Sequence, residues 1–253
     1  MLPRFISSWL GYSTSMPTPL WRHPEVSFID WLIQLLFPLI LPLRKIAAAA
    51  AVGDDGPLKT TRASMNKQDG SVHDQRFSGW RVTQIEAPGR DGTILIHLHT
   101  PPRSQQQQQQ QQCDRLLPLV LWFHGGGYTI SSARDSYGAS FATELLALGA
   151  RVAWASVEYR LAPEHAFPAA AHDALDALEY FTTEEGAARA AAEWGVDSSR
   201  IHIAGTSAGA GLAIATAAAA ARNGNRSVRS LLADEPMLDH TCLLYTSPSP
   251  RDS

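Results

Sequence analysis

Cysteine is scarce: two, Cys113 and Cys242, in 253 residues. They lie far apart and lack metal-ligand spacing, so neither a disulfide framework nor a cysteine-based metal centre is expected. Charge of one sign is scarce too. With 21 Lys and Arg against 24 Asp and Glu, the formal net charge is −3, and no basic stripe recurs along the chain, which argues against a nucleic-acid partner. A membrane-crossing run is also missing. Trp31 to Leu43 is strongly apolar with only Gln34 polar, yet it falls short of the ~20 residues a spanning helix needs, and Pro38 and Pro42 would interrupt its backbone ladder. Met1 to Leu20 is broken by Ser8, Ser13 and Ser15 and does not read as a signal peptide. These absences favour a cytoplasmic location, with segment 31–51 as a cap-like helix; its alternative is an interfacial helix making peripheral membrane contact.

What is present suits a globular domain, since 45% of the residues are hydrophobic, enough for a sizeable core. Residues 1–78 read as an N-terminal cap-like and linker region, the Gly, Asp, Lys, Ser and Asn of 52–78 offering little to bury. A partial core follows over 79–241. Trp80–Ala87 and Thr93–His99 alternate apolar and polar residues around a Pro88–Gly92 turn, as a hairpin does. The glutamine run 105–112 reads as a low-complexity insert that loops out. Beyond it Leu116–Phe123, Arg151–Val157 and Arg200–Ala204 read as strands buried on both faces, and Val228–Ala233 can be one more strand. Helices are expected over Ser136–Leu148, Ala169–Trp194 with a break near Gly186, and alanine-rich Ala208–Arg222. Strand and helix alternate, so the fold class is α/β with a mostly parallel sheet and flanking helices.

Two motifs sit where expected strands end. Gly205-Thr206-Ser207-Ala208-Gly209 has the form G-x-S-x-G, a sharp strand-to-helix turn that exposes a serine Oγ, and His124-Gly125-Gly126-Gly127-Tyr128 has the form H-G-G-G, a source of backbone donors. Taken singly, each has a plainer reading as a flexible turn or a strand-to-helix corner.

Together with Glu158-Tyr159-Arg160-Leu161-Ala162-Pro163-Glu164-His165, Phe167-Pro168, Asp173-Ala174 and Asp197–Gly211, their order and spacing resemble the α/β-hydrolases of the hormone-sensitive-lipase-like esterase family. That resemblance implies an α/β-hydrolase fold, an ester as small-molecule substrate, and acyl transfer without metal or organic cofactor. Ser207 would be the nucleophile, needing a histidine to take its proton. The Ala208 amide, at the positive end of a helix, would be one oxyanion donor; the resemblance adds Gly126 and Gly127. Gly125, Gly205 and Gly209 would support the turns, and His124 would shape the oxyanion loop rather than act as base. His165 and His172 read as architecture, Arg160 and Glu164 as members of polar networks, Asp173 as a helix cap or ion-pair partner. Tyr128 reads equally as pocket lining or surface.

The acid and base of such a triad follow the serine in chain order, and no Asp and His after Ser207 occupy those places. Asp239 and His240 come too early. The last residues, 242–253, resemble a translated adapter tail, the alternative being a natural Ser/Pro-rich terminus, so the core is expected to be incomplete at its C-terminal end. A non-catalytic small-molecule binding protein on the same fold and a serine peptidase are the rival readings.

Overall fold

A computed structural model describes residues 55–102 and 116–236. The apolar segment 31–51, the glutamine run, Asp239, His240 and the 242–253 tail lie outside the described residues. Met1–Pro57 and Leu58–Ser253 form separate units, and apart from the first two residues of the opening helix, Gly56 and Pro57, the features below belong to the second.

Among the described residues its sheet has six strands: β1 (Arg81–Gly89), β2 (Gly92–Thr100), β3 (Leu117–Phe123), β4 (Ala153–Glu158), β5 (Val196–Thr206) and β6 (Val228–Asp234), in the order β1-β2-β4-β3-β5-β6. β1 and β2 pair antiparallel around a two-residue Arg90-Asp91 turn, from Arg81↔Thr100 to Gly89↔Gly92. β2 joins β4 antiparallel, and β4, β3, β5 and β6 are mutually parallel. The continuous apolar runs are explained by what covers them. Along β3, Leu119, Leu121 and Phe123 enter one core cluster while Val120 and Trp122 enter another on the opposite face. A strand sandwiched in this way has no polar side.

Helices supply the covers: α1 (Gly56–Arg76), α2 (Ser136–Ala147), α3 (Ala169–Thr182), α4 (Glu184–Trp194) and α5 (Ala208–Arg222). Ala174, Ala177, Leu178 and Phe181 of α3, Ala190 and Trp194 of α4, and Leu212 and Ala213 of α5 fill the first cluster, and Ala139 and Ala142 of α2 the second. The α3–α4 break falls at Thr183, whose hydroxyl caps α4 by accepting from the Gly186 amide at 3.1 Å. Gly186 is therefore an early residue of α4 rather than the break.

The expected linker over 52–78 is corrected: Gly56–Arg76 is helical. Only Leu58, Gly70 and His73 of it are buried, so it carries almost no apolar stripe, and long-range polar contacts hold it instead. Ser136 donates to Asp69 at 2.8 Å, and Arg134 pairs with Asp74 at 2.5 Å. Among the described residues no helix is long and apolar enough to cross a membrane.

Candidate active site

The chain runs from β3 to β4 on one side and returns to place β5 on the other, so strand order reverses at β3. Ligands gather at the carboxyl ends of strands beside such a switch point. Pairing of Phe123 with Gly205 aligns the ends of β3 and β5, and the two motifs emerge side by side from those ends. A Cβ on Gly125 would lie 3.4 Å from the Ser207 Cβ and 3.3 Å from the Thr206 carbonyl oxygen. Residues far apart in sequence thus form one surface.

Ser207 stands between β5 and α5 with φ 52° and ψ −118°. A side chain costs of order 1–3 kcal/mol in such a backbone region and persists only where its surroundings enforce it. Two contacts do so. The Ser207 amide donates to the Asp234 carbonyl at 2.8 Å, and the Ser207 carbonyl accepts from Ala210 and Gly211 at 3.1 and 3.2 Å. Because a trans peptide directs its N–H opposite to its C=O, the Ala208 amide points out of the helix end, where it has no intrahelical partner. Gly209 packs so closely on the Phe123 and His124 carbonyls that no side chain fits.

The loop after β3 is bent by three successive left-handed residues, Gly126 (φ 110°), Gly127 (φ 60°) and Tyr128 (φ 61°). The Gly126 carbonyl accepts from the Thr129 and Ile130 amides at 3.1 and 3.0 Å, which turns the Gly127 N–H away from the turn. Gly127 is exposed and Ser207 half-buried.

Beneath the loop, His124 is buried and lies flat on Tyr159, ring centroids 4.2 Å apart. Its Nδ1 faces the Gly125 carbonyl at 2.7 Å; a carbonyl only accepts, so Nδ1 carries the proton. Burial lowers the imidazole pKa to about 4, leaving the ring neutral near pH 7. The Tyr159 hydroxyl donates to the His124 carbonyl at 2.7 Å. Glu158, its pKa raised by burial, accepts from the Ala133 amide at 2.8 Å.

The other named residues lie around this centre. Asp173 is buried and receives the Arg160 amide at 2.8 Å and its guanidinium at 2.8–3.0 Å. His172 faces Asp91 at 3.1 Å, and His165 is exposed on the 159–168 loop. Among the described residues no histidine is hydrogen-bonded to the Ser207 Oγ. Two cavities, of about 320 Å³ against His73, His97 and His99 and about 400 Å³ between β1 and α4, lie away from Ser207. Three groups whose part the motifs did not signal reach this centre: Arg62 of α1, Tyr159, which lies inside a quoted motif, and Asp234.

The chain is similar to known proteins. A family model described as the alpha/beta hydrolase fold matches residues 120–252. The chain belongs to that family, among its hormone-sensitive-lipase-like members. Esterase LipI of Mycobacterium tuberculosis is 35% identical over 133 residues, 53% of this chain and 37% of the relative. Neutral cholesterol ester hydrolase 1 of Bos taurus is 30% identical over 140 residues, 54% of this chain and 31% of the relative. Among solved structures, a hyperthermophilic esterase from the archaeon Pyrobaculum calidifontis matches with a TM-score of 0.59 and 31% identity, covering 76% of this chain and 54% of that one. The chain thus spans about half the length of that structure and about a third of those two curated relatives.

Proposed function

We propose that Ser207 is the nucleophile of a carboxylic ester hydrolase whose oxyanion donors are the amides of Gly126, Gly127 and Ala208. The carrying observation is the strained Ser207 backbone packed against Gly125 of the oxyanion loop. In this reading a histidine takes the Ser207 proton as Oγ attacks the ester carbonyl, and the three amides hold the alkoxide that forms. The tetrahedral intermediate expels the alcohol, which takes the proton back from the histidine. Water then attacks the acyl-serine by the same route in reverse roles. The amides act on charge absent from the bound substrate, and removing one donor costs roughly 10²–10³ in kcat.

The acid and base come from sequence downstream of the β6 region, following the order serine, acid, histidine. In this reading the protein that carries them hydrolyses esters of small to medium acyl chains. His124 serves the loop, not the proton transfer, since its Nδ1 is engaged by Gly125. The test is hydrolysis of p-nitrophenyl acetate and butyrate by the full-length protein, against Ser207→Ala. Turnover should fall by orders of magnitude in the variant. Residual kcat above about a tenth of the parent value would reject Ser207 as nucleophile.

A further inference from the structure

Arg62 lies on α1, the helix whose polar sequence read as a linker, and its guanidinium reaches two loops beside Ser207. Nε donates to the Thr129 carbonyl at 2.6 Å, Nη2 donates to the Ala162 carbonyl at 2.5 Å, and Nη1 and Nη2 grip the Glu164 carboxylate at 2.7 and 3.0 Å. The two loops are also joined directly, the Ala162 amide donating to the Tyr128 carbonyl at 2.8 Å. Arg62 holds Glu164 below the usual carboxylate range. The side chain is mostly covered, at 17% relative exposure against 42% for Glu164, so water does not replace its carbonyl contacts freely.

From this geometry we infer that Arg62 is a positioning residue for the oxyanion loop, clamping the Gly126–Ile130 turn to the Ala162–Glu164 loop so that the Gly127 amide stays aimed at the reacting oxygen. The inference rests on the ester-hydrolase reading of Ser207. Three consecutive left-handed residues leave that turn with little backbone reason to keep its shape. Its internal hydrogen bonds fix the Gly126 peptide, but the Thr129 carbonyl at its far end is held by Arg62. A fork of donors meets divergent acceptors in one fixed plane, which a lysine ammonium on a flexible stem does not reproduce. A loop released from the clamp would still bind substrate, because ground-state contacts differ little. It would lose donor alignment in the transition state.

The experiment compares Arg62→Met and Arg62→Lys with the parent full-length protein, following p-nitrophenyl acetate turnover and backbone amide exchange together. Both variants should lose roughly tenfold or more in kcat with KM nearly unchanged, and the Thr129, Ile130 and Ala162 amides should exchange faster while β3–β5 amides do not. Added guanidinium should restore part of the kcat of Arg62→Met and none in the parent. Unchanged kcat in a protein that turns over would overturn the inference. So would a loss matched by faster exchange throughout the sheet and not rescued by guanidinium, which would mark Arg62 as merely structural. If the parent itself does not hydrolyse esters, the Ser207 reading fails, and unaltered loop exchange in Arg62→Met would then overturn the clamp separately.

Discussion

Tyr159 lies flat beneath His124, the rings 12° from parallel, and its hydroxyl donates to the His124 carbonyl. One side chain therefore supports the first residue of the loop after β3 in two ways, by stacking and by a buried hydrogen bond. Tyr159→Phe keeps the stack and removes the bond. An unmatched buried carbonyl costs about 1–3 kcal/mol, so denaturant unfolding should show a loss of that size. Turnover of the full-length protein should fall through kcat, because the carbonyl precedes the loop glycines. Wild-type stability in the variant would mean that water satisfies the carbonyl.

Ser207 offers a separation of stability from catalysis. Its φ of 52° and ψ of −118° suit glycine better than serine. Ser207→Gly should therefore raise stability, by about 1 kcal/mol, while abolishing ester turnover. Ser207→Ala should abolish turnover without that gain. If both variants melt alike, the turn at Ser207 is not strained.

The glycines of the two motifs serve different ends, and alanine distinguishes them. A Cβ on Gly127 would meet nothing nearer than the Thr129 hydroxyl at 3.9 Å, although φ is 60°. Gly127→Ala should fold with a penalty of about 1 kcal/mol and lower kcat more than it raises KM. On Gly209 the Cβ would run into the backbone oxygens of Phe123 and His124. Gly209→Ala should lose about 3 kcal/mol or more, since neither carbonyl can move without shifting β3. An equal effect of the two substitutions in a thermal melt would contradict this division.

Much of this was legible in the chain because strands buried on both faces and alanine-rich helices announce themselves in short windows. Leu117–Phe123 falls within a residue of its expected bounds, as does Val228–Asp234, although the latter is partly exposed along its length, and the motif pair found its place through strand order alone. The helix α1 did not announce itself. Its link to the fold runs through Arg62, Asp69 and Asp74, whose partners lie 60 to 102 residues away, and no local pattern encodes such contacts. β2 misleads in a related way. Its alternation T-I-L-I-H-L-H suggests that His97 and His99 face water, yet both are buried, with Phe77 stacked 3.9 Å from His99. What covers that face is the α1 end, invisible as a helix in the sequence.

The buried histidines make stability depend on pH in a calculable direction. Burial lowers His99 to about 3 and His124 to about 4, and lowers His73 and His97 as well. Each folded pKa lies below the unfolded value of about 6.5, so their contribution is fully present above pH 6.5 and is lost as pH falls through that value toward the folded pKa. The cost is about 1.4 kcal/mol per pH unit for each histidine that stays neutral. Asp135 opposes this: burial raises its pKa to about 6, so its own contribution grows as pH falls from 6. Around His99 the facing charges are Asp74 and Arg134, which pair with each other, with His73 and His97 as the other titrating neighbours. His99→Phe isolates one proton. Between pH 7 and pH 5 the variant should lose about 2 kcal/mol less stability than the parent chain, measured by urea unfolding at both values. Equal losses would mean that His99 takes up its proton while folded, and that the space beneath α1 admits water.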